Sequence, residues 1–151
     1  MTHATETVIR KSITVNAPVE RAFEVFTDGI ATWWPIKTHS AGREKAETVV
    51  LEGREGGRLF ERHTDGAESD WGQVTAWDPP RRVAFTWHPG RGVGTAQEVD
   101  VHFTTDAGAT RVDLEHRGWE KLGDRAAEMV PEYDSGWDHV LGRRYAEAAS
   151  R

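Results

Sequence analysis

The chain has 151 residues, of which 29% are charged and 37% hydrophobic, with a net charge of −6 and a pI near 5.6. That length suits one domain with a sizeable core, so a single domain over residues 1–151 is expected. The acidic balance argues against a nucleic-acid or anionic-membrane surface, which needs a basic patch, and the lack of cysteine excludes disulfides, thiolate metal sites and a cysteine nucleophile.

No apolar run approaches the roughly 20 residues of a membrane helix, and MTHATETVIRKS lacks the apolar core of a signal peptide. A cytoplasmic protein without membrane insertion is expected. Seven tryptophans stand out. Each buries roughly 150–250 Å² when inside, worth about 4–6 kcal/mol gross. Together they can fill a core or line a cavity.

Residues 7–15 alternate loosely through Val8, Ile13 and Val15 and read as a strand. Pro18 suits the first turn of a helix, and Val19, Ala22, Phe23 and Phe26 follow helical spacing until Asp28-Gly29. Residues 30–35, with Trp33 and Trp34, read as one further short turn stopped by Pro35. Residues 36–45 form a polar loop. From Glu47 the period becomes two. Residues 47–51, 58–64 and 70–77 read as strands, separated by Gly56-Gly57 and by the hairpin signal Asp65-Gly66. After Asp78-Pro79-Pro80, three further stretches alternate: Val83, Phe85 and Trp87; Val99, Val101 and Phe103; Val112, Leu114 and His116. A loop at 88–94 and a turn at 106–108 separate them, and residues 119–129 connect to the last element. In residues 131–149, Tyr133, Trp137, Val140, Leu141, Tyr145 and Ala148 share one helical face. Short connections imply antiparallel pairing, and one long half-wet helix needs one sheet to lie on. The class is α+β, a sheet curled around the C-terminal helix.

Five stretches carry a resemblance: ITVNAPVERAFEVFTD, GGRLFER, WGQVTAWDPPRRVAFTW, ATRVDLEHRGW and SGWDHVLGRRYAEA. Together they resemble the SRPBCC (START-like, helix-grip) superfamily, and within it the proteins named for homology to the activator of the heat-shock protein 90 ATPase. The resemblance runs from about Val8 to Ala148 in the family's order. This chain has Ala109-Thr110-Arg111 where the family has Gly-Thr-Arg, and its 36–45 loop matches no family pattern. The resemblance implies a helix-grip fold, a seven-stranded antiparallel sheet around the C-terminal helix with two short helices after the first strand. It also implies an internal cavity between helix and sheet that binds apolar small molecules or, in some branches, processes them.

With the helix on the concave face, the inward strand residues are Leu59, Val83, Phe85, Trp87, Val99, Val101, Phe103, Val112, Leu114 and His116. Gly72 and Val74 share a parity that Trp77 lacks; a β-bulge near Ala76 turns Trp77 inward. Trp33 and Trp34 either cover the cavity mouth or plug the end of the core. Leu59, Trp71, Phe85, Trp87, Val101 and Phe103 are candidate ligand-binding walls from the sheet, joined by Trp119, Tyr133 and Trp137. A pocket lined by aromatics with a few polar groups is the general form of a small-molecule site.

Glu61 shares the parity of Leu59, and an inward carboxylate must be paired or neutral. It anchors a ligand's polar end, acts as a general base with a raised pKa, or pairs with an inward basic group, for which His116 is the natural partner. Otherwise it reaches solvent where the strand frays. Glu61 and His116 are thus the candidate polar anchors and the candidate acid–base pair. His3, His39, His63, His88, His102, His116 and His139 contain no i, i+4 pair and no HExxH pattern, so no metal site is expected. His102 is expected outside, and His39 and Asp70 near a mouth. There is no GxSxG elbow, and the glycines of 91–94 lie between strands, where they cradle no phosphate. No cofactor is expected.

The leading functional expectation is binding of a small apolar or aromatic molecule in the internal cavity by a monomer or homodimer. The alternative is an enzyme on the same cavity, of cyclase, dehydratase or hydrolase type, using Glu61 or His116. A chaperone ATPase co-regulator is the third. The eukaryotic activators carry a further N-terminal domain, for which 151 residues are expected to leave no room.

Overall fold

The computed structural model describes residues 7–151. Residues 1–6, with His3 and half of the stretch read for a signal peptide, lie outside the described residues.

The described residues form a seven-stranded antiparallel sheet: β1 (Ile9–Val15), β2 (Ala46–Leu51), β3 (Arg58–His63), β4 (Glu68–Asp78), β5 (Arg82–Trp87), β6 (Gln97–Asp106) and β7 (Ala109–Arg117). The spatial order is β1-β7-β6-β5-β4-β3-β2. Strands β2 to β7 therefore follow one another as a meander, and β1 closes the far edge against β7, with Ile13 opposite Val112. Local chemistry sets the turns. Ala107 and Gly108 both have positive φ (51° and 87°), the backbone that a two-residue hairpin requires to match strand twist.

Two bulges decide which tryptophans face inward. Between β3 and β4 the register passes from Leu59↔Gly72 to Phe60↔Asp70, so Trp71 is the extra residue and is completely buried. Between β4 and β5 it passes from Val74↔Phe85 to Ala76↔Ala84. This second bulge, at Thr75, brings Trp77 onto the inner face against Phe23, ring centroids 5.1 Å apart, as the expected bulge near Ala76 required. Gly72 has no alternative: a Cβ there would stand 1.7 Å from the Thr86 carbonyl oxygen of the neighbouring strand.

Between β1 and β2 lie α1 (Val19–Thr27) and a short 3-10 turn at Ile30–Thr32. Helix α1 buries Ala22, Phe23, Phe26 and Thr27. After β7 comes a 3-10 stretch (Trp119–Arg125), and then α2 (Ala126–His139), a π-helical turn (Val140–Tyr145) and α3 (Ala146–Ala149) form one continuous helix. The helix begins at Ala126, not at Pro131 as the sequence pattern suggested. Ala126, Ala127, Glu128 and Met129 are good helix formers, and Pro131 lies exposed inside the helix. The wide π turn buries Val140, Leu141 and Tyr145 together. The Tyr145 hydroxyl donates to the Ala22 carbonyl at 2.7 Å, tying the helix to α1. On its outer flank, Lys11 of β1 reaches Asp134 at 3.0 Å and Asp138 at 2.9 Å.

Every tryptophan except Trp77 is buried, and Trp77 packs half-buried against the core. The space between sheet and helix is thus largely filled by the chain's own indoles. Among the described residues, no helix is long and apolar enough to cross a membrane, and no three side chains are grouped to hold a metal ion.

Candidate functional site

What the indoles leave open is a cleft of about 420 Å³ at one end of the helix–sheet interface. Its floor is apolar: Trp34, Trp87, Trp137, Met129 and Val140. One wall is the helix, through Glu132, Tyr133, Ser135 and Gly136; the other is the loop, through Thr38, His39, Ser40, Ala41 and Arg43. Pro89 closes the third side.

Trp34 is the keystone of the floor. Its ring lies 5.1 Å from Trp71, 5.7 Å from Trp87 and 6.0 Å from Trp137, centroid to centroid. Its Nε1 donates to the His39 carbonyl at 2.7 Å, so the floor also holds the loop. Trp87 Nε1 donates to the Tyr133 hydroxyl at 3.1 Å, which fixes the tyrosine at the rim.

Glu61 is fully buried beneath the loop. Its Oε1 accepts from Ala41 N (2.7 Å) and Trp71 Nε1 (2.6 Å). Its Oε2 accepts from Gly42 N (2.7 Å) and His63 Nε2 (2.7 Å). Desolvation pushes this carboxyl up, but the Trp71, Ala41, Gly42 and His63 donors outweigh it and hold the pKa below the usual range. The group is an ionised latch that fixes the loop wall. Gly42 packs so closely that a Cβ would fall 2.7 Å from His63 Nε2 and 2.8 Å from Glu61 Oε2.

His116, also fully buried, meets different surroundings. Trp119 stacks on it at 4.3 Å, and Tyr133 stands edge-on at 5.2 Å. Trp137 Nε1 donates to its Nδ1 at 3.0 Å, and its Nε2 lies 3.1 Å from Gln97 Oε1. Gln97 donates its own amide to the Thr95 carbonyl, which leaves Oε1 as an acceptor and places the imidazole proton on Nε2. Burial, with a smaller push from Arg91, lowers the His116 pKa to about 3.

The expected Glu61–His116 pair does not form. Trp71, bonded to Glu61, is 5.5 Å from Trp87, and Trp87 is in turn 6.3 Å from His116. Two indoles, Trp71 and Trp87, therefore link the two groups in place of a direct bond. Of the ligand-binding candidates, Trp34, Trp87, Tyr133 and Trp137 come together on the cleft. Trp33 lies behind Trp34, its Nε1 donating to the Val25 carbonyl. Leu59, Trp71, Phe85, Val101, Phe103 and Trp119 are buried core side chains outside the cleft lining. His102 is exposed beside Asp100, and Asp70 pairs with Arg58 on the outer face. His39 does stand at the mouth.

Sequence reasoning missed the loop wall and the first helix turns. Met129, Tyr133, Gly136, Trp137 and Val140 carry a helical period, visible once the helix is extended back to Ala126. The loop residues carry no periodic signal at all. At the mouth, the His39 ring lies 5.6 Å from the His139 ring, and desolvation, then His139 and Arg43, lower the His39 pKa.

A family model described as activator of Hsp90 ATPase homolog 1-like protein matches residues 16–148. An anthrahydroquino-γ-pyrone synthase, Txn09, complexed with SUM, is 35% identical with a TM-score of 0.66, over 94% of this chain and 97% of that one. The Aha1 dimer from Colwellia psychrerythraea is similar at 18% identity and a TM-score of 0.70, over 95% of this chain and 96% of that one. Bacillus halodurans protein BH1534 is similar at 22% identity and a TM-score of 0.68, over 96% and 97%. The last two similarities speak to the fold alone. Among curated proteins none matches.

Proposed function

The chain belongs to the family of activator of Hsp90 ATPase homolog 1-like proteins, and from that premise we propose that it binds a small, flat aromatic molecule in the cleft between the 38–43 loop and the C-terminal helix. The observation that carries this reading is the floor. Three indoles, Trp34, Trp87 and Trp137, face one space of about 420 Å³, within the size range of small-molecule sites. Faces of aromatic rings suit the faces of another aromatic ring, and the polar rim supplies orientation. The 35% identical synthase bears a name that concerns an anthrahydroquinone, a molecule of the same flat class.

The test is an equilibrium titration with 1,8-dihydroxyanthraquinone, read by tryptophan fluorescence. Saturable quenching is expected, with Tyr133→Leu weakening binding by up to about tenfold, the size of one aromatic contact of about 1.5 kcal/mol. Absence of saturation up to the solubility limit would overturn the reading.

An enzyme on the same cleft is the second reading, favoured by the synthase relative. Here the geometry redistributes the roles. Glu61 is occupied by four donors, and a histidine with a pKa of about 3 is a poor base at neutral pH. His39 and Tyr133, which line the cleft, are the groups placed to move a proton. In this reading His39→Gln removes product formation, followed by chromatography, while binding by fluorescence persists. Undiminished turnover in His39→Gln would remove His39 from the mechanism.

A further inference from the structure

The cleft is electrically lopsided, and that asymmetry selects among flat ligands. At one end His39 and Arg43 line the cleft from the loop, and His139 of the helix, next in sequence to the cleft residue Val140, stands beside His39. The His39 and His139 rings are 5.6 Å apart, and the Arg43 charge is close enough to lower the His39 pKa. No carboxylate pairs with Arg43, His39 or His139 among the described residues. Like charges gathered without a counter-charge repel one another and are relieved by an anion. The carboxylate of the cleft lining, Glu132, is seven residues before His139 on the same helix, about 10 Å away along the axis at about 1.5 Å per residue. Of the other carboxylates on these elements, Glu61 lies behind the loop and is already bonded by Ala41, Gly42, Trp71 and His63, Asp138, next to His139, is paired with Lys11 at 2.9 Å, and Glu44, next to Arg43, is exposed and forms no ion pair with it.

We propose that Arg43, His39 and His139 form an anion subsite at the loop end of the cleft, and that the ligand is an aromatic acid or acidic phenol. This rests on the reading that the cleft binds a flat aromatic molecule. The negative edge of the ligand lies between loop and helix, its rings lie on Trp34, Trp87 and Trp137, and its uncharged edge points toward Glu132 and Ser135. Arg43 supplies the permanent charge. His39, held low by desolvation, His139 and Arg43, adds charge as the pH falls, and the proton it gains is stabilised by the bound anion. The Glu61 latch keeps the loop, and so the subsite, in place across that pH range.

The probe pair is anthraquinone-2-sulfonate, ionised at every working pH, and anthraquinone-2-sulfonamide, neutral and close in size. Because the sulfonate does not titrate, any pH dependence of its preference reports the protein. Affinities are measured from pH 8 to pH 6 at low salt. The sulfonate is expected to bind about tenfold more tightly than the sulfonamide at pH 6. The preference should shrink toward pH 8 and at high salt. Arg43→Gln, at an exposed position, should collapse the ratio of the two affinities, and a His39→Gln/His139→Gln double variant should abolish its pH dependence. Equal affinity for the two probes overturns the subsite and leaves the aromatic cleft standing. A preference for the sulfonate that survives Arg43→Gln and the double variant also overturns it, by placing the anion elsewhere. Binding of neither probe overturns the cleft reading and the subsite with it.

Discussion

Glu61 and His116 are two ionisable side chains facing the same interior, both completely buried, and the protein handles them in opposite ways. Around Glu61 the neighbours are donors: two loop amides, an indole N–H and an imidazole N–H. Around His116 they are rings, with one donor for one nitrogen and one acceptor for the other. The carboxylate is held charged, and the imidazole is held neutral. Burial alone therefore does not set the state of a group. Desolvation disfavours charge at both sites, and the count and polarity of the partners decide whether it prevails.

The largest expected effect follows from breaking the charged site. Glu61→Ala leaves three N–H groups and an imidazole beneath the loop without their acceptor. The loss of stability should be about 3–5 kcal/mol, as for removal of one partner from a buried charged network, measured by urea unfolding. The amides of Ala41 and Gly42 should lose protection from hydrogen exchange. If they remain as protected as in the native chain, the latch is not what holds the loop.

A milder version removes one donor at a time. Trp71→Phe keeps an aromatic ring in the core but deletes the 2.6 Å bond to Glu61. A hydrogen bond to a charged group is worth about 1.5–3 kcal/mol, and a loss well below 1 kcal/mol would mean that the other three donors suffice.

The two sites should also separate along the pH axis. The folded-state pKa of His116, about 3, lies below its unfolded value, so on acidification the unfolded chain takes up a proton that the folded one refuses. The stability contributed by the neutral imidazole is complete above the unfolded pKa near 6.5 and declines below it, by about 1.4 kcal/mol at pH 5.5. His39, also lowered, adds a decline of the same sign. Replacing His116 by Gln, which keeps an acceptor for Trp137, should flatten most of this slope. Glu61, lowered from an ordinary value of 4.5, acts in a different window. Its contribution is present above that value and is lost as the pH falls further. A single acid transition with no separate phase between pH 6.5 and 4.5 would contradict the neutral assignment of His116.

The smallest expected effect serves as the outer-surface control. Arg10 and Glu115 pair at 2.9 Å across β1 and β7 in the open. Such exposed pairs contribute about 0.2–1 kcal/mol. Arg10→Ala should therefore shift the unfolding midpoint little and leave both acid windows unchanged.

How much of this was legible beforehand depends on whether a signal is local. The strand and helix pattern was readable because a pleated strand and a helix repeat their buried residues at fixed periods. Ile13, Val83, Phe85, Val112 and Leu114 announced their strands, and Tyr133, Trp137 and Leu141 announced the helix. Even Trp77, out of register in sequence, required a bulge, and the structure places one at Thr75. Parity also identified Glu61 and His116 as inward. It did not identify their partners, because a period says which face a side chain is on and nothing about what reaches it from elsewhere.

The tertiary structure alone decided the rest. Residues 36–45 have no period, so nothing in them showed that Ala41 and Gly42 would turn their amides onto Glu61, or that His39 would meet His139 from the far end of the chain. Nor did the seven tryptophans reveal their division of labour. Their number announced an aromatic interior. Packing assigned Trp33, Trp71 and Trp119 to fill it, and left Trp34, Trp87 and Trp137 facing the open cleft. A repeating pattern is fixed by backbone geometry within a few residues. A site assembled from a loop, a strand and a helix is fixed only when long-range packing brings them together.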